Sequence, residues 1–115
     1  MTEPLIVAHK AVELAAEKQA SDVVLLDISG MTTIADYFVI CTAESSRQLN
    51  ALLEDIATGL REIGAKLNHR EGSSSSGWTL LDYGDVIVHI FSPEQREFYQ
   101  LESAWLRGVP VVRIQ

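Results

Sequence analysis

Apolar residues recur at helical spacing twice in the chain. Leu5, Ala8, Val12, Ala15 and Ala16 fall on one face of a first segment, with Glu13, Glu17 and Lys18 left for solvent. Thr2-Glu3-Pro4 in front supplies a capping residue, an acid and a first-turn proline. The second stripe is longer: Leu49, Leu52, Leu53, Ile56, Leu60 and Ile63 follow the Ser45-Ser46-Arg47-Gln48 capping signal and end at Gly64. Between the two helices, Asp22 to Ser29 and Asp36 to Thr42 are short β-branched runs that do not alternate cleanly, the pattern of strands buried on both faces.

Beyond Gly64 the pattern weakens. Ala65 to Arg70 is a faint strand signal leading into EGSSSSG, Glu71 to Gly77, which reads as a flexible loop. It lacks the glycine spacing and Gly-Lys-Ser/Thr ending of a phosphate-binding loop. WTLLDYGDVIVHIF, Trp78 to Phe91, then reads as an antiparallel hairpin turning at Tyr83-Gly84. Ser92-Pro93-Glu94-Gln95 starts a third helix carrying Phe98, Leu101 and Trp105 and closed by Arg107-Gly108. VPVVRIQ ends the sequence as an edge strand, since Pro110 cannot donate to a ladder. This order predicts a single α/β domain with a mixed, mostly five-stranded sheet and flanking helices.

With the turn at Tyr83-Gly84, Leu81 faces Val86, Thr79 faces Val88 and Trp78 faces His89. One hairpin face then carries Thr79, Leu81, Val86, Val88 and Ile90 and reads as core. The other carries Trp78, Leu80, Ile87, His89 and Phe91 and ends in Asp82 and Asp85. Two readings of this second face stand side by side: a core layer covered by another element, or an open aromatic and aliphatic patch edged by carboxylates, suited to a basic protein partner.

Charge favours the second reading. Nine Lys and Arg against sixteen Asp and Glu give a formal net charge of −7 over 115 residues, which disfavours direct nucleic-acid binding and favours a basic partner. One cysteine, Cys41, excludes an intrachain disulfide and sits in an apolar run as an inert thiol. No apolar run is long enough for a membrane span, and the expected location is cytoplasmic. Asp82 and Asp85 could hold a divalent ion, with His9, His69, His89 and Cys41 as further donors, but no two His or Cys residues have ligand spacing. No metal, cofactor or catalytic set is therefore assigned; a small metal-dependent nucleotide-handling enzyme using Asp82 and Asp85 is the alternative.

The blocks ADYFVICTAESSRQLNALLEDI, Ala35 to Ile56, and GWTLLDYGDVIVHIFSPEQREFYQLESAW, Gly77 to Trp105, resemble the ribosomal silencing factor, or iojap-like, family. The resemblance implies a fold similar to the nucleotidyltransferases without their activity. It also implies a translation repressor that binds the large ribosomal subunit through the basic protein numbered fourteen in its L series and blocks the small subunit. The partner-facing residues it implies are Trp78, Leu80, Asp82, Tyr83 and Asp85, with His89, Arg96 and Tyr99 nearby. A homodimer through the same apolar face is a further expectation.

Overall fold

The computed structural model describes residues 3–99 and 109–114. Helix α1 (Pro4–Glu17) is followed by strands β1 (Ser21–Asp27) and β2 (Tyr37–Thr42), helix α2 (Ser46–Glu62), strand β3 (His69–Ser73) and a 3-10 turn (Ser74–Ser76). Strands β4 (Trp78–Asp82) and β5 (Val86–Phe91), helix α3 (Pro93–Tyr99) and strand β6 (Val109–Ile114) complete the order. The sheet runs β3-β4-β5-β2-β1-β6. Among the described strands only β2 and β5 pair in parallel, because α2 and the β3–β4 hairpin make the crossover between them. The expected mixed sheet is present, and it carries six strands because a wholly exposed segment, His69 to Ser73, adds an edge beside β4. The C-terminal strand lies at the other edge, antiparallel to β1.

α2 begins where its sequence says it should. The Ser45 hydroxyl accepts from the Gln48 backbone N–H at 3.1 Å, while the Gln48 side-chain carbonyl accepts from the backbone N–H of Glu44 at 2.6 Å. At the other end Gly64 adopts φ +88°, and the Ala65 N–H returns to the Leu60 carbonyl at 3.0 Å, closing the helix with a Schellman bond. α1 is capped differently from expectation: its N-cap position is Glu3, not Thr2, and the Glu3 side chain makes no capping bond, so Pro4 at the first helical position is the start signal that holds. Leu101, Trp105 and the Arg107-Gly108 stop lie outside the described residues.

Two apolar layers sandwich the sheet. α1 and α2 cover one face, burying Val23, Leu25, Val39, Cys41, Leu81, Val88 and Ile90 against Ala11, Leu52 and Ile56. The opposite face gathers Val24, Leu26, Phe38, Ile40, Ile87 and Phe91, with Ile28 and Ala35 from the β1–β2 connection packed on it and Trp78 and Leu80 at its margin. Among the described residues no helix is long and apolar enough to cross a membrane.

Candidate protein-binding surface

The second sheet face is closed along β5 and open along β4. Every residue of β5 is buried, whereas β4 alternates: Thr79 and Leu81 are buried toward the helices, and Trp78, Leu80 and Asp82 remain half-exposed on the other side. β5 is thus a covered core layer, whereas β4 keeps one side partly exposed. The hairpin register also differs from expectation, with Trp78 opposite Phe91 and Leu80 opposite His89. The turn centres on Gly84 and Asp85, closed by Tyr83 N–H to Val86 carbonyl at 2.8 Å. Gly84 takes φ +87°, and its N–H donates to the Asp82 carboxylate at 2.7 Å. A shift of two residues leaves every side chain on its predicted face.

Trp78 is held from behind. Its indole N–H donates to Nδ1 of His89 at 3.3 Å. That makes Nδ1 an acceptor and leaves the ring proton on Nε2. The indole stacks on Phe91 (centroids 5.4 Å apart, 18° between planes), and Phe38 meets His89 edge-on at 4.9 Å. His89 is 4% exposed, and its Nε2 has no hydrogen-bond partner among the described residues. Burial lowers its pKa from 6.5 to about 4, so the ring is neutral at pH 7. The result is an uncharged aromatic slab carrying one tryptophan at its open margin.

Edge strand β3 supplies the rim. Glu71 pairs with Leu80 and Ser73 with Trp78, so both lie on the open face. Glu71 is exposed and meets Nε2 of His69 at 3.0 Å. A concavity of about 220 Å³ is lined by Glu71, Gly72, Ser76, Trp78 and Leu80. Glycine is required at its wall: Gly72 has φ +84°, and a Cβ there would lie 2.0 Å from the Trp78 carbonyl oxygen. The serine run braces this wall, with the Ser76 hydroxyl 2.8 Å from the Ser73 carbonyl and 3.0 Å from that of Trp78.

The expected site residues divide. Trp78, Leu80 and Asp82 share the open strip. Asp85 is exposed in the turn, where its carbonyl accepts from the Asp36 and Tyr37 N–H groups at 2.9 and 3.0 Å. Tyr83 belongs to the helix side of the sheet; burial pushes its phenol up to about 12 against the opposing pull of Arg70 and Arg61. Arg96 is buried, not partner-facing: its guanidinium donates to the Asp22 carbonyl and the Thr42 hydroxyl, each at 2.9 Å, and stands 3.4 Å from the Asp22 carboxylate. It ties α3 to β1 and β2. His89 likewise stands beneath the surface. Tyr99 has its backbone in α3, and its side chain lies outside the described residues.

Among the described residues no group of three or more His, Cys, Asp or Glu side chains could hold a metal ion. Cys41 is buried, and burial pushes its thiol up to about 12. Sequence reasoning missed Glu71 and Phe38. Glu71 sits in a strand with no apolar alternation to announce it, and Phe38 joins the slab only through the parallel β2–β5 pairing.

The family model described as "Ribosomal silencing factor during starvation" matches residues 2–115. A Bacillus subtilis protein named ribosomal silencing factor is 38% identical over 89 residues, covering 77% of this chain and 75% of the relative. A mouse protein named for mitochondrial assembly of the ribosomal large subunit is 28% identical over 97 residues, covering 82% of this chain and 42% of its own length. A crystal structure of a Chromobacterium violaceum protein superposes with a TM-score of 0.86 at 32% identity, covering 90% of this chain and 87% of that one.

Proposed function

From a chain that belongs to the ribosomal silencing factor family, we propose a translation regulator that docks on the large ribosomal subunit through the open strip of β4 and β3. There it grips the basic L-series protein fourteen and sterically keeps the small subunit from joining. The observation that carries this reading is the strip itself: Trp78 and Leu80 lie half-open over a buried aromatic slab, with the carboxylates of Glu71 and Asp82 beside them. An apolar centre with an acidic rim complements a Lys- and Arg-rich surface, and its excess charge speeds encounter. Relatives named for silencing and for large-subunit assembly support a regulatory role over a catalytic one. Within this reading Trp78 is the anchor, and His89 and Arg96 serve from the interior, the first by holding the indole and the second by holding α3.

Titration of the purified basic ribosomal protein with wild type and Trp78→Ala tests the docking. Truncating a central tryptophan costs about 2 kcal/mol or more, roughly a thirtyfold loss of affinity. Equal affinities would remove Trp78, and the strip with it, from the interface. Binding that weakens as the chain is concentrated would show a second copy competing for the same strip.

A further inference from the structure

The edge strand β3 carries opposite charge on its two faces. Glu71 lies on the tryptophan side, whereas Arg70 turns toward α2 and meets Glu54 at 3.3 Å. Behind it opens a concavity of about 550 Å³ whose lining includes Arg61, Lys66, Arg70, Glu54 and Tyr83. Among the described residues of that lining Glu54 is the one carboxylate, and Arg70 already engages it. Arg61 and Lys66 are exposed and have no ion-pair partner among the described residues. In a chain where acids outnumber bases sixteen to nine, two cations left unpaired over one concavity mark a local reversal of the overall field.

We propose that this concavity takes the phosphate backbone of an RNA segment on the same particle that the tryptophan strip docks against. The inference rests on the proposed large-subunit reading and adds a second contact of different chemistry. Exposed arginine and lysine side chains with free donors suit phosphate oxygens. The charges act locally: at physiological salt the screening length is about 8 Å, so distant carboxylates do little to cancel the two cations, and the ones that count are Glu54 in this lining and Asp85, which lines the adjoining concavity with Lys66. A ligand made of basic protein and RNA matches the two faces of β3 at once, the protein against Trp78 and Glu71, the RNA against Arg61 and Lys66. Contacts on two sides of one edge strand would fix the orientation that a single strip leaves free.

The test compares wild type with an Arg61→Gln, Lys66→Gln double variant, using intact large subunits over a series of potassium chloride concentrations and the isolated basic protein in parallel. Both side chains are exposed, and Arg61 is the basic residue of the last turn of α2, so the melting temperature should fall by a few degrees at most. Removing one cation from a phosphate lowers the magnitude of the log K against log [salt] slope by about 0.7–0.9, so the double variant should be shallower by roughly 1.4–1.8. Affinity for the isolated protein should be unchanged, and an Arg61→Lys, Lys66→Arg swap should keep the wild-type slope. Equal slopes for wild type and the Gln variant would overturn the RNA contact while leaving the docking strip intact. A parallel drop in affinity for the isolated protein would also overturn it by making the concavity a protein contact. Failure of wild type to bind large subunits at all would overturn both readings.

Discussion

Acidification from pH 7 to pH 5 should weaken the fold by about 2 kcal/mol through His89 alone, and His89→Asn should abolish that loss. The unfolded imidazole takes up a proton near pH 6.5, whereas the folded ring, enclosed by Trp78, Phe38 and Phe91, does so only near pH 4. The folded pKa is depressed, so the stabilisation is fully present above the unfolded value and is lost as pH falls toward the folded one. With pKa values of 6.5 and about 4, proton linkage gives a loss of about 2 kcal/mol at pH 5 and about 3 kcal/mol at pH 4. Asparagine does not titrate, and its side-chain oxygen stands near the position of Nδ1, so it can still accept from the Trp78 indole. Carboxylates titrate in both proteins and cancel in the difference. Urea unfolding of the two proteins at pH 7, 6 and 5 reads the effect as a stability difference that changes with pH. A difference equal at pH 7 and pH 5 would refute a buried, neutral His89.

Two further outcomes follow from the packing. Cys41, buried with its thiol pushed up to about 12, should react with a thiol reagent only after unfolding; rapid labelling of the native protein would contradict its burial. Gly72→Ala places a Cβ against the Trp78 carbonyl in a left-handed backbone and should cost more than about 2 kcal/mol, read by urea unfolding. A native-like midpoint would contradict the close approach of β3 to β4.

Much of the fold was legible because local and global signals agree. The Leu49 to Ile63 stripe, the Ser45 cap and the Gly64 stop all describe one helix, and α2 realises each of them. The hairpin faces were legible despite the misplaced turn, since moving its centre from Tyr83-Gly84 to Gly84-Asp85 shifts the pairing by two and preserves alternation. What was hidden depends on long-range or featureless contacts. β3 is exposed throughout, so His69 to Ser73 shows no burial pattern, and Glu71 fell into an apparent loop. Arg96 reads as a helix-surface residue until the fold brings Asp22 beside it, 74 positions away. Asp82 reads as a free rim carboxylate, but its bond to the Gly84 N–H makes it part of the turn. Charge reversal of the rim is therefore cleaner at Glu71.

Co-sedimentation of the purified protein with separated ribosomal subunits, read together with the yield of joined particles, tests docking and silencing in one measurement. Wild type should pellet with large subunits only and suppress joining, while Trp78→Ala and Glu71→Lys should lose both effects without loss of fold. Suppressed joining by both variants at wild-type concentration, or no binding of wild type to large subunits, would contradict a β4–β3 strip that keeps the subunits apart.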